Sequence, residues 1–160
     1  MKIAVIYHSE GGNTRKVAEI IAEGAMACEG VEATPMSITK IDEGFVAEAK
    51  AVVLGCPTYG GTFSWQMKKW LDTGGIKLAD KLGSAFATGN HVGGGIDVAE
   101  LAMLQQMLVK GMLTYASGGS KGAPVIHYGA VAINDGDESQ QERARILGKR
   151  VAEKALELFS

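Results

Sequence analysis

The amino-acid sequence predicts an α/β fold, with one parallel sheet covered by helices on both faces. Three observations predict it. Strand-like apolar runs alternate along the chain with segments of helical periodicity. One run, AVVLGC, is apolar throughout, as a central strand covered on both sides requires. Many of the 22 glycines gather in SEGGNT, TYGGTF, TGNHVGGG and GGSKG, the first three following strand-like runs. Glycine there permits positive φ and close approach of backbone to a ligand.

The elements follow in order. KIAVIY is the first strand. From Thr14 to about Cys28, Val17, Ile20, Ile21 and Gly24 recur at helical spacing. EATPMSI is a second, more polar strand suited to a sheet edge, and AVVLGC is the third. Met67, Trp70 and Leu71 mark a helix, with Ser64 as its N-cap and Gly74 as its stop. LGSAFAT is the fourth strand. Leu101, Leu104 and Leu108 mark a helix ending at Gly111. MLTYA and YGAVAI form one last strand, interrupted by SGGSKGAPVIH. A capping box of Ser139 and Glu142 opens a final helix carrying Leu147, Val151 and Leu158.

The 160 residues favour one domain, 1–160. A net charge of −2 gives no electrostatic case for nucleic acid or an anionic membrane. The first apolar run is too short for a signal segment. No apolar stretch nears the roughly 18 residues of a membrane span, so the expectation is a cytoplasmic protein. Cys28 and Cys56 are well separated and form no CxxC motif, which reads as two small hydrophobes rather than metal ligands. No His, Asp and Glu cluster has metal-ligand spacing, and no Ser–His–Asp arrangement suits the strand and loop placement.

In such a sheet, ligands bind beyond the carboxyl ends of the strands. The loops leaving strands one, three and four are HSEGGNT, PTYGGTF and TGNHVGGG, so one cleft can collect all three. The first is suited to an anion: free N–H groups at a helix start sit at the positive end of its dipole, and Ser9, Asn13 and Thr14 add side-chain donors. The chain has no GxxxxGK[ST] for a nucleoside triphosphate, and the first turn lacks GxGxxG for a dinucleotide. Read alone, the loop is a signal of moderate specificity, and a capped helix entry is the competing reading.

YHSEGGNT resembles the FMN-phosphate loop of flavodoxin-like proteins. GCPTYGGTFSWQMKKWLD resembles their second loop, FATGNHVGGG their third, and KGMLTY the stretch that follows. YGAVAINDGDESQQERARILGKRVAEKA is most similar to the C-terminus of WrbA-type NAD(P)H:quinone oxidoreductases. The resemblance implies a flavodoxin-like three-layer sandwich with a five-stranded parallel sheet, order 2-1-3-4-5, and an interrupted last strand. That strand order comes with the resemblance. The resemblance also implies FMN as cofactor. Ser9, Glu10, Gly11, Gly12, Asn13 and Thr14 would wrap the phosphate, Glu10 through its backbone, because a carboxylate repels a phosphate. Pro57 opens the second loop, and Thr58, Tyr59, Gly60 and Gly61 would lie along the isoalloxazine. Thr88, Gly89, Asn90, His91 and Gly93 would cover its pyrimidine edge, where peptide N–H groups tune the reduced flavin.

Other residues carry two readings each. Tyr59 stacks on the ring or packs within its loop. Phe63 and Trp65 flank a neighbouring subunit's cleft or fill the core. His91 contacts flavin or substrate, or neither; His8 reads as structural; His127 reaches a substrate pocket or is solvated. Met103 and Met107 read as core. Lys68, Lys69, Arg143, Arg145, Lys149 and Arg150 read as solvated helix faces.

The implied function is two-electron transfer from NAD(P)H, a transient reductant, to a quinone-type acceptor, with no catalytic side chain. The alternative is a flavodoxin electron carrier serving redox-protein partners. Such carriers present an acidic rim, whereas Pro57 to Gly95 holds Lys68, Lys69, Lys77 and Lys81 against only Asp72 and Asp80, which favours the enzyme. Lys110 and Lys77 depart from the WrbA pattern, where a histidine and an aromatic are common, so the departures fall on the acceptor site and not on the FMN loops. The loop Gly118 to Tyr128 carries Val125, Ile126 and Tyr128, which need cover, and with the resemblance this implies a homo-oligomer.

Overall fold

The computed structural model describes residues 1–160. Strand β1 is Lys2–Tyr7, β2 Glu32–Ser37, β3 Ala51–Tyr59, β4 Thr62–Phe63, β5 Leu82–Gly89, β6 Leu113–Thr114 and β7 Ala130–Ile133. The sheet runs β2-β1-β3-β5, and β6 and β7 share the fifth place. All of these neighbours are parallel. β6 pairs with Leu82 and Gly83, and β7 with Phe86 to Gly89. The interrupted last strand is therefore real, and the seven strands fill five places plus β4. That two-residue piece folds back antiparallel on Thr58 and Tyr59.

Helix α1 is Asn13–Met26, α2 Glu43–Glu48, α3 Trp65–Thr73, α4 Ile96–Val109 and α5 Glu138–Phe159. Side chains alternate across a strand with period two, and the sheet follows the rule. Ile3, Val5, Ala51 and Val53 pack under α1 and α5. Ala4, Ile6, Val52, Leu54 and Cys56 pack under α2, α3 and α4. Both faces are apolar, which explains why AVVLGC reads as a continuous run. No helix is long and apolar enough to cross a membrane.

Several expectations are corrected. The helix α2 was not expected; Asp42 caps it by accepting from the Phe45 N–H at 2.9 Å. In α4 the leucines are not the inner face: Ala99, Glu100, Met103 and Met107 are buried, while Leu108 is 62 % exposed and Leu101 also faces out. The smaller and unbranched side chains let α4 lie close to the sheet, and the two methionines are core as expected. The capping box of α5 is Asp137 with Gln140, two residues earlier than Ser139 and Glu142. Leu147 and Val151 are buried but Leu158 is exposed. Gly74 does end α3, yet its φ is −70°; what it needs is the lack of a Cβ, which would stand 2.6 Å from the Trp70 carbonyl oxygen. Ile126 is buried within its own chain and needs no outside cover, leaving Val125 and Tyr128 exposed. Arg150 is more than a solvated residue: it donates to the Ser117 hydroxyl at 3.0 Å and to the Pro124 carbonyl at 3.3 Å, holding the segment between β6 and β7.

Candidate functional site: three loops at the carboxyl ends of the strands

The parallel sheet sends the loops after β1, β3 and β5 to one end of the molecule, and side chains tie them together there. Thr14, at the start of α1, lies 2.8 Å from Thr88 at the end of β5, oxygen to oxygen. Both are buried. Thr58 donates its hydroxyl to the Thr88 carbonyl at 2.9 Å. Residues of all three predicted loops thus meet at Thr88. The second and third loops also touch backbone to backbone: a Cβ on Gly95, whose φ is +93°, would fall 2.4 Å from the Gly61 carbonyl oxygen.

The first loop has the features of an anion site. Gly12 is the N-cap of α1 at φ 95°, a conformation glycine adopts freely, and no side chain caps the helix. Ser9 instead accepts from the Gly12 N–H at 3.1 Å. The first intrahelical bond runs from Lys16 to the Gly12 carbonyl. The amides of Asn13, Thr14 and Arg15 therefore have no acceptor within the chain, at the positive end of a 14-residue helix. Glu10 does not compete for them. Its carboxylate accepts from the Gln66 amide at 2.8 Å and lies 3.6 Å from His8 Nε2. His8 is buried, in line with a structural role.

The space above the loops is open where a flat ligand needs it. A Cβ on Gly11, Gly12, Gly60, Gly61 or Gly93 would meet nothing within 4 Å. Tyr59 is 37 % exposed and Trp65 64 % exposed, both at the mouth, so Trp65 does not fill its own core; Phe63 is partly buried against the core. Asn90 and His91 are exposed at the rim, Gly89 is half-buried, and Pro57 and Thr58 are half-buried at the end of β3. His127 is exposed on the segment between β6 and β7. These features fit FMN: free helix-start amides for a phosphate, glycines without neighbours for a ring, and aromatic side chains at the edge. Burial and the Glu10 charge both hold the Tyr59 phenol above its ordinary range, so it is neutral at physiological pH. Cys56 lies beneath the loops, wholly buried, its thiol pushed up to about 11 by desolvation.

The fold changes the charge account of this end. Lys77, Asp80 and Lys81 lie between α3 and the start of β5, at the amino ends of the strands, opposite the loops. Lys68 is paired with Asp72 at 2.6 Å. The three loops, the turn after β7 and the helix starts beside them carry Glu10, Asp97, Asp135, Asp137 and Glu138, all exposed, against Arg15 and Lys16 at the start of α1 and Arg143, which lines one pocket with Asp97. The loop after β2 adds Lys40 and Asp42, one of each sign. The Asn134 N–H donates to the Gly89 carbonyl at 2.8 Å, which sets the acidic turn beside the third loop. The expected positive balance is thus replaced by an acidic rim. Sequence reasoning missed Gln66, Gly95 and this turn; NDGDE directly after YGAVAI was its visible signal.

Comparison with known proteins gives consistent results. The family model described as Flavodoxin matches residues 5–101. A flavodoxin of Clostridium saccharobutylicum is 41 % identical over 160 residues, 99 % of this chain and 100 % of that one. An NAD(P)H dehydrogenase (quinone) of Archaeoglobus fulgidus is 31 % identical over 188 positions, covering 98 % of each. That alignment is longer than this chain, so the relative has segments with no counterpart here. Among solved structures, a flavodoxin, WrbA-like protein from Agrobacterium tumefaciens superposes with a TM-score of 0.80 at 27 % identity, covering 98 % of each chain.

Proposed function

The chain belongs to the flavodoxin family, and from that premise we propose that it is an FMN-binding electron-transfer protein whose acidic rim docks a basic redox partner. The observation that carries this reading is the charge at the carboxyl end of the sheet, where the exposed carboxylates Glu10, Asp97, Asp135, Asp137 and Glu138 outnumber Arg15, Lys16 and Arg143. Complementary charge of this kind steers encounter and suppresses wrong partners. The same rim disfavours a polyanionic pyridine nucleotide. Full-length similarity without large gaps to a flavodoxin supports the reading further.

FMN, when bound, supplies the electron-transfer chemistry. The chain's own residues bind and orient it. The amides of Asn13, Thr14 and Arg15, with the hydroxyls of Ser9 and Thr14, would take the phosphate. Gly11 and Gly12 leave room for it, and Glu10 offers only backbone. Thr58, Tyr59, Gly60 and Gly61 would line one side of the ring; Thr88, Gly89, Asn90, His91 and Gly93 would meet its polar edge, with Pro57 fixing the approach of the second loop. Catalysis by a side chain is not required.

A second reading is two-electron transfer from NAD(P)H to a quinone-type acceptor. It is supported by the relatives named for that activity, 31–32 % identical over 98–100 % of this chain, and by exposed Tyr59 and Trp65, which suit a flat acceptor. Self-association belongs to the proposal too, through exposed Val125 and Tyr128; a monomer in sedimentation at micromolar concentration would remove it.

Salt dependence tests the main reading. Chemically reduced, FMN-loaded protein is mixed with cytochrome c, a basic acceptor. Its rate should fall at least about tenfold between low and high ionic strength. Asp135→Asn combined with Glu138→Gln, which spares the Asp137 cap, should lower the low-salt rate. A rate indifferent to both salt and these substitutions would overturn it.

A further inference from the structure

An acidic side chain in a phosphate loop needs a physical account, and the surroundings of Glu10 supply one. Four buried polar side-chain atoms of the chain lack a hydrogen-bond partner, and two of them, His8 Nε2 and Gln66 Oε1, belong to the residues that flank Glu10. Unpartnered buried atoms are rare in native structures and call for an explanation. His8 directly follows β1, and Gln66 is the second residue of α3. Both aim a nitrogen at the same carboxylate oxygen. Gln66 Nε2 donates to Glu10 Oε1 at 2.8 Å, and His8 Nε2 stands 3.6 Å from that oxygen. Gln66 makes this bond while its own carbonyl oxygen goes unpaired, so the amide is placed for Glu10 at a cost.

The side chain of Glu10 is 65 % exposed, so nothing but these two neighbours fixes its direction. What it would otherwise meet is nearby. The amides of Asn13, Thr14 and Arg15 have no acceptor within the chain and lie at the positive end of a 14-residue helix. Such a set of donors takes a carboxylate as readily as a phosphate. Glu10, three residues before Asn13, is the nearest carboxylate in the sequence. An unrestrained Glu10 would compete for those amides in the empty site and repel a phosphate in the filled one. Held on Gln66, it does neither, and the amides stay free. The same bond joins the first loop to the helix that follows the second, completing the ties that Thr14, Thr58 and Thr88 make on the other side of the site.

We propose that Gln66, backed by His8, is a positioning residue that holds the Glu10 carboxylate off the anion site and so preserves the preference for a phosphate-bearing flavin over riboflavin. This rests on the FMN reading of the three loops.

The test is a double-mutant cycle read with two ligands. FMN-loaded and riboflavin-loaded proteins are diluted, and the recovery of flavin fluorescence gives each affinity. Gln66→Leu should weaken FMN at least about fivefold, the scale of one close like-charge contact near water, and riboflavin by no more than about twofold. Glu10→Gln removes the charge and still accepts from Gln66, so it should hold FMN at least as tightly as the unmodified chain. Adding Gln66→Leu to Glu10→Gln should then leave the ratio of FMN to riboflavin affinity within about twofold. That rescue is what a merely structural role of Gln66 would not give. Gln66→Met, unbranched and without a donor, replaces the leucine variant if thermal unfolding shows the latter to be unfolded. Unchanged FMN affinity in Gln66→Leu, equal loss of both flavins, weaker FMN binding by Glu10→Gln, or a selective loss that persists beside Glu10→Gln would each overturn the proposal. An unmodified chain that holds riboflavin as tightly as FMN would instead overturn the phosphate reading on which it rests.

Discussion

Thr14→Val separates a phosphate contact from a structural one. Thr14 is buried, and its hydroxyl has two partners to satisfy: Thr88 at 2.8 Å and, on the reading above, the FMN phosphate. A hydrogen bond to a charged group contributes about 1.5–3 kcal/mol, roughly ten- to 150-fold in affinity. FMN should therefore bind that much more weakly to Thr14→Val. Riboflavin has no phosphate and should lose no more than about threefold. Helix capping cannot confuse the result, because the N-cap is Gly12 and no side chain caps α1. The rival explanation is the bond to Thr88, which fastens the first loop to the third. Thr88→Val breaks that bond and leaves the Thr14 hydroxyl in place, so it should lower stability by about 1–3 kcal/mol without changing the ratio of FMN to riboflavin affinity. Both affinities are read from quenching of flavin fluorescence on binding. Equal losses of FMN and riboflavin in Thr14→Val would refute the phosphate role.

Three further predictions follow from single residues. Gly95→Ala places a Cβ against the Gly61 backbone at positive φ; it should weaken FMN and riboflavin alike, and selective loss of one would contradict the loop contact. The raised pKa of Glu100 gives a pH signature. Below about pH 4.5 the carboxyl is protonated in folded and unfolded chains alike. As pH rises the unfolded chain ionises first, so stability falls until the buried group ionises too; the stability gap between Glu100→Gln and the unmodified chain, measured by urea unfolding, should widen from pH 4.5 upwards, and a gap independent of pH would count against burial of the carboxyl. At pH 8 a thiol reagent should modify Cys28 well before Cys56, whose thiol is buried with a pKa of about 11; rapid modification of both would show that the core beneath the loops is open.

Much of this was legible in the sequence, for identifiable reasons. β1 appears in full as KIAVIY, and the core of β3 as AVVLGC, because strands covered on both faces leave a continuous apolar run. The three glycine loops were visible because each follows such a run. What escaped was information that depends on three-dimensional placement. Leu101 and Leu108 share helical spacing with Ala99 and Met103, and periodicity alone did not say which stripe faces the sheet. The charge of the site was misjudged because Lys77 and Lys81 are near the second and third loops in sequence but lie at the opposite end of the sheet. The carboxylates that do surround the site come largely from Asp135, Asp137 and Glu138, some forty residues beyond the third loop and beside it only through the pairing of β7 with β5. Glu100 stands out only through the gap between β6 and β7, where Gly129 lies against it.

Carrier and dehydrogenase part most directly in an anaerobic titration of the FMN-loaded protein with NADH and then NADPH, followed in the visible spectrum. On the carrier reading, the acidic rim serves a basic protein and gives a pyridine nucleotide no foothold. The oxidised flavin spectrum should therefore persist for minutes in excess of either nucleotide, and bleach only when a reductase protein is added to relay the electrons. Rapid bleaching by NADH or NADPH alone, with reoxidation on adding a quinone, would contradict the carrier reading and establish the dehydrogenase in its place.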